Sequence, residues 1–182
     1  MGTWFEIQRD KKIWYEEPGE TECVTATYSY YSWDLLYPVG VNNRAHKQSS
    51  DSLTTTTAMN DESDSAWNFE YAKARCSWGT GDCNVKFWWY PEGNYQVLDT
   101  DYDNYAILYG CDDWWFGLMH SRNSWLLNRE RNSANQQTYK DLAVEVLGNK
   151  VPDYPWSDRI HNTKHDVDCR YAAPIQAIID GS

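Results

Sequence analysis

The feature that most constrains this chain is a period of two, recurring in short stretches separated by turn residues. Val24, Ala26, Tyr28 and Tyr30 alternate with Thr25, Thr27 and Ser29. Residues repeating every second position share one face of an extended strand. A second stretch runs from Asn84 to Tyr90 and meets the turn-forming Pro91-Glu92-Gly93-Asn94. Strand character resumes from Tyr95 to Asp99, breaks at a turn over Thr100 to Asn104, and returns from Tyr105 to Cys111 and from about Leu118 to Asn128. The opening Gly2-Thr3-Trp4-Phe5-Glu6-Ile7 also reads as a strand. A helical period replaces this pattern once. From Gln136 to Leu147, Tyr139, Leu142, Ala143, Val146 and Leu147 fall on one face, and Gly148 closes the helix.

The order is therefore about eight short strands, one helix and a loosely patterned tail. Consecutive strands joined by short turns predict a mainly β fold: an eight-stranded up-and-down antiparallel barrel with one C-terminal α-helix. Periodicity alone leaves a two-sheet sandwich open. A barrel of eight strands holds one small ligand where its own side chains do not fill it. The 182 residues predict a single domain over 1–182. The barrel takes about 2–129, the helix about 136–147, and an irregular tail 149–182. The least patterned region, Lys47 to Ser65, reads as a long loop with an extra short strand at Leu53–Ala58.

Charge and composition exclude several classes. With 27 Asp and Glu against 16 Lys and Arg, the formal charge is -11, which repels a phosphate backbone and argues against nucleic acid as a partner. No apolar run reaches the roughly 18 residues of a transmembrane helix. Aromatic residues reach 16%, with 11 Trp and 14 Tyr. Each couples a large apolar body to a polar tip, which suits a pocket lining, an interface or a strand-rich core.

Five cysteines, Cys23, Cys76, Cys83, Cys111 and Cys169, lie far apart with no CxxC pair. That spacing excludes zinc-ribbon and thioredoxin-type readings and points to disulfides in an oxidising compartment. Met1 leads straight into the first strand without a basic start or an apolar leader. The expectation is a secreted, extracellular protein whose native N-terminal segment is missing from this chain; that segment would also explain the odd cysteine.

Three motifs then stand in order: Gly2-Thr3-Trp4 opens the first strand, Thr100-Asp101-Tyr102 occupies a late turn, and Arg129 ends the strand before the helix. This set resembles the lipocalin family. The stretch from Thr100 to Cys111 is similar to its apolipoprotein D and bilin-binding (insecticyanin-like) branch. The resemblance covers Gly2 to about Leu147, with a weaker echo around Cys169. It implies that Trp4 closes the barrel floor with Arg129 stacked over it, both structural, and a guanidinium over an indole gains roughly 0.5–2 kcal/mol. It implies a disulfide from Cys23 to Cys169, and a partner for Cys111 upstream of Gly2. Cys76 and Cys83 depart from the simpler family pattern. They flank a hairpin-like loop, so they either bridge locally or one of them re-pairs with Cys111.

The same resemblance places Tyr28, Asn43, Phe87, Tyr95 and Trp125 toward the pocket. Alternation independently groups Tyr28 with Ala26 and Val24, Phe87 with Val85 and Trp89, Tyr95 with Val97, and Trp125 with Leu127 and Arg129. The implied function is binding and transport of a small hydrophobic ligand: a bilin, carotenoid, steroid or fatty-acid-like molecule. No catalytic residue, metal or separate cofactor is assigned; a bilin or carotenoid would be the bound ligand. Two alternatives stand beside it. One is a lipid- or pigment-modifying enzyme using Glu6 or Glu70. The other is an interaction protein that oligomerises through Trp88-Trp89 and Trp114-Trp115-Phe116. His161, His165 and Cys169 have a helical zinc spacing, but the sequence around them is a poor helix former.

Overall fold

A computed structural model describes residues 1–11, 21–47, 67–77, 79–87, 92–114 and 119–165, with 169 and 171. Eight strands follow one another: β1 (Gly2–Asp10), β2 (Thr21–Tyr30), β3 (Val39–Lys47), β4 (Trp67–Cys76), β5 (Asp82–Phe87), β6 (Gly93–Thr100), β7 (Tyr105–Trp114) and β8 (Met119–Asn128). Each pairs antiparallel with the next. Strand β8 returns to β1, so the sheet closes into an up-and-down barrel with no free edge between them. The sandwich is excluded by this closure. The extra strand read at Leu53–Ala58 lies outside the described residues.

Alternation sorts side chains into two layers. Trp4, Ala26, Ala106, Leu108 and Leu127 cluster inside the barrel, with Tyr28, Tyr95, Val97 and Trp125 against them. Phe5, Ile107, Tyr109 and Leu126, one residue out of step, cluster outside. Helix α1 (Gln136–Lys150) covers that outer layer, packing over β6, β7 and β8. Its Ala143 and Leu147 are fully buried there, with Tyr139, Leu142 and Val146 beside them. The helix does not stop at Gly148. It runs one more turn-half to Lys150, and the N–H of Val151 closes it on the carbonyl of Leu147.

The tail is more regular than its weak periodicity indicates. A helical turn α2 (Trp156–Arg159) leads into β9 (Ile160–Asn162), which pairs antiparallel with β1 over Gln8 to Asp10. Strand β2 pairs only with the first part of β1, Gly2 to Phe5. The tail takes up the rest of that edge: Thr163 N–H donates to the Ile7 carbonyl at 3.1 Å and Cys23 N–H donates to Lys164 at 2.9 Å. Three residues are too few to show a period, and their partners are distant in sequence.

Two bridges fasten this arrangement. Cys23–Cys169 joins β2 to the tail across 146 residues, and Cys76–Cys83 spans the β4–β5 turn. Cys23 sits at a bulge in β2 with φ 56°, where register shifts between Glu22 and Thr25. Cys111 is a free thiol and does not re-pair with Cys76 or Cys83.

Candidate ligand site in the barrel

One end of the barrel is sealed by the three motifs. The Arg129 guanidinium lies 3.7 Å from the centre of the Trp4 ring. It also donates to the carbonyls of Thr3 (3.0 Å), Met1 (2.7 Å) and Tyr102 (3.3 Å). One planar cation thus ties the start of β1 to the β6–β7 turn, with the charge-assisted bonds strengthening the stack. Gly2 is needed here because its φ is +91° and a Cβ would stand 3.1 Å from Arg129 Nη1. In the turn, Asp101 Oδ1 accepts from the N–H groups of Asp103, Asn104 and Tyr105; against the effect of burial, the Asn104 side-chain amide on Oδ2 and these bonds hold the carboxyl below the usual carboxylate range. That network carries Tyr102 in the left-handed region at φ 67°. Thr100 Oγ1 donates to the Tyr105 carbonyl at 2.6 Å.

Above this floor, four of the five residues assigned to the pocket come together. Tyr28 and Tyr95 share a hydroxyl–hydroxyl hydrogen bond of 2.7 Å. The Tyr95 and Trp125 rings stand 6.1 Å apart at a 36° tilt. Phe87 packs with Val41, Ala72, Ala74 and Val85 in an adjoining interior cluster that Tyr28 and Tyr95 also touch. All four aromatics are half-buried, whereas Trp4 beneath them is 6% exposed. Burial pushes the Tyr28 phenol up to about 12, against the opposing effect of its bond to Tyr95 and with a smaller push from Glu6, so its hydroxyl stays protonated and can donate or accept.

Asn43, the fifth, is in register with Ala26 on β2 and with Glu70 on β4. Ala26 belongs to the interior, and the Asn43 Oδ1 is buried with no hydrogen-bond partner among the described residues. An orphaned buried acceptor costs about 1–3 kcal/mol unless something donates to it. The side chain of Glu70 lies outside the described residues, as do Trp88, Trp89, Trp115 and Phe116.

Sequence reasoning named Glu6 but missed its pairing with Arg9. Glu6 and Arg9, 4% and 6% exposed, pair at 3.4 Å, and Thr163 donates to the Glu6 carboxylate at 2.6 Å. A bulge in β1 between Glu6 and Gln8 puts Arg9 in register with Trp125 and His161. No local pattern reveals a bulge. It also missed Ala72 and Ala74, although they alternate with Lys73 and Arg75 in a visible period of two.

The zinc spacing in the tail is otherwise occupied. Cys169 is bridged to Cys23. Both ring nitrogens of His165 are hydrogen-bonded, one to the Tyr171 hydroxyl and one to the Glu6 carbonyl. His161 sits in β9, and burial and the Arg9 charge lower its pKa. The Glu6 carboxylate is likewise committed to Arg9 and Thr163.

The barrel thus has a closed floor, an aromatic interior and few polar groups. Comparison with known proteins agrees: residues 1–146 match the lipocalin / cytosolic fatty-acid binding protein family, and the chain belongs to it. It is 35% identical to Lazarillo protein of Schistocerca americana over 136 residues, 74% of this chain and 56% of that one. Over 48 residues it is 46% identical to bovine apolipoprotein D, 25% of this chain and 24% of that one. The chain thus spans about half the length of the first relative and a quarter of the second. In three dimensions it resembles insecticyanin of Manduca sexta with a TM-score of 0.62 at 20% identity, covering 93% of this chain and 81% of that one. Lobster apocrustacyanin A1 gives 0.61 at 20% identity, covering 92% and 78%.

Proposed function

We propose that this chain is an extracellular binding and transport protein that holds one small hydrophobic ligand inside the barrel. The observation that carries this reading is the set of half-buried aromatics, Tyr28, Phe87, Tyr95 and Trp125, above a sealed floor. Burying the apolar body of a ligand against them contributes about 25 cal/mol per Å² before the costs of association. The Tyr28–Tyr95 hydroxyl pair and the Asn43 Oδ1 orient a polar end of that ligand. The aromatic Tyr95 and Trp125 rings support a flat conjugated body, a bilin or carotenoid, over a steroid or fatty acid. Relatives whose names refer to apolipoprotein D, and fold neighbours such as insecticyanin and crustacyanin, support the same class. Two disulfides support export to an oxidising compartment.

The test is a native absorbance and mass spectrum of protein from its source, followed by tryptophan-quenching titrations with a bilin, a carotenoid, a steroid and a fatty acid. A bound adduct, or saturable quenching by one class that falls at least about tenfold in affinity in Trp125→Ala, is the expected result. A ligand-free protein that none of the four quenches would overturn the reading.

A further inference from the structure

The outer wall opposite the helix carries a surface that ligand holding does not explain. Inward placement of Val39, Val41, Ala72, Ala74, Val85 and Phe87 leaves Arg44, Lys73, Arg75 and Lys86 on the outer face of β3–β5. Onto this face folds the β2–β3 connection, 31–38. Tyr31 lies on the bare backbone of Gly40, where a Cβ would come within 2.5 Å of its ring. The Asp34 carboxylate pairs with Lys73 at 2.7 Å and accepts from the N–H groups of Leu36 and Tyr37. Lys73 sits 5.4 Å from the Trp33 ring, and Arg75 and Lys86 flank Tyr37 at 5.7 Å and 5.9 Å. Tyr37 donates to Glu92, whose carboxylate also pairs with Arg75 at 3.1 Å.

This framework presents apolar side chains to water. Leu35 is 90% exposed, Trp33 73%, Leu36 70% and Tyr30 62%. Among the described residues, Arg44, Lys73, Arg75 and Lys86 stand on the face with the acids Asp34, Glu92 and, at its edge, Asp82, while the whole chain has a formal charge of -11. At physiological salt the Debye length is about 8 Å, so the charges nearest a surface decide how the molecule meets it. The exposed side chains offer on the order of 500 Å², short of the roughly 800 Å² each partner gives a stable dimer. Indole and phenol rings beside protruding leucines suit the boundary between headgroups and acyl chains.

We propose that the 31–38 loop and the cationic outer face of β3–β5 form a docking surface for an anionic phospholipid membrane, with Leu35 and Leu36 entering the acyl region and Trp33 at the headgroups. The rest of the chain is acidic and is repelled, so docking is weak and fixes one orientation, with the helix-covered side facing away.

The experiment is flotation of the full chain with phosphatidylcholine vesicles, with and without about 30% phosphatidylserine, at low and physiological salt. The expected result is binding that needs phosphatidylserine and weakens with salt. The doubly exposed variant Leu35→Ser/Leu36→Ser should lose at least about tenfold in partitioning with unchanged melting and circular dichroism. Lys86→Glu should lose fivefold or more on phosphatidylserine vesicles, and brominated lipid should quench wild type more than Trp33→Phe. No binding by wild type, or binding that the double serine variant keeps, overturns the proposal. A wild-type dimer that the double variant dissolves, without vesicle binding, overturns it in favour of a second copy on this face.

Discussion

The two faces of the same strands are packed to different ends. Outside, Ile107, Leu126, Ala143 and Leu147 are fully buried and Ile7 is 2% exposed, clamped under α1 and the tail. Inside, Tyr28, Phe87, Tyr95 and Trp125 are only half-buried. The outer layer also holds a buried polar knot. Asp10 pairs with Arg159 at 2.9 Å and accepts from the Tyr154 hydroxyl, which accepts from Ser124 at 3.0 Å. Close packing is where folding energy is gained. A binding site has to forgo some of it to leave room. Here the helix and tail complete a close-packed outer layer, while the four interior aromatics stay half-buried.

If the layers divide the work this way, damage outside should cost stability and damage inside should cost affinity. Cys23→Ser/Cys169→Ser should have the largest effect, a loss of about 2–5 kcal/mol by denaturant titration, because it frees the tail that completes the β1 edge. Leu147→Ala should lose about 2–4 kcal/mol while ligand affinity, read by tryptophan quenching, stays unchanged. A matched loss of affinity there would break the division.

Alkaline pH addresses both layers at once. Burial pushes Tyr28 inside and Tyr105 and Tyr109 outside up to about 12, against 10.0 for an ordinary phenol. The fold favours the neutral phenol, so their contribution is complete below pH 10 and is lost as pH rises through about 12. Ultraviolet tyrosinate absorbance should therefore rise together with loss of near-ultraviolet circular dichroism. Bound ligand, by excluding water from the interior, should delay Tyr28 and leave Tyr105 and Tyr109 unmoved. The smallest effect is expected from Tyr95→Phe, which removes the partner of Tyr28 for about 1 kcal/mol or less and should lower affinity more than stability.

Much of this was readable beforehand because it is local. The turn chemistry at Thr100 to Asn104, the alternation in β2 and β5 to β8, and the apolar stripe of α1 each lie within one window of sequence. Strands β3 and β4 were not picked out by local pattern. Val39 and Val41 are followed by Asn42, Asn43 and Arg44, and the small Ala72 and Ala74 give a weak contrast with their polar neighbours. In β3, pairing with β2 and β4 rather than local propensity makes the residues extended. Asn43 could be placed only through family resemblance, and the Glu6–Arg9 pair was hidden by a bulge that reverses the alternation.

The sequence by itself determined the period of each element, and through it which residues share a face, because a strand turns its side chains over every residue whatever surrounds it. It also determined the three motifs that seal the floor. Only the tertiary structure decided that the tail completes the edge of β1, that Tyr28 meets Tyr95 across 67 positions, and that Trp33, Leu35 and Leu36 stay in water. These are relations between segments far apart in the chain, and closing the barrel is what brings them within reach of one another.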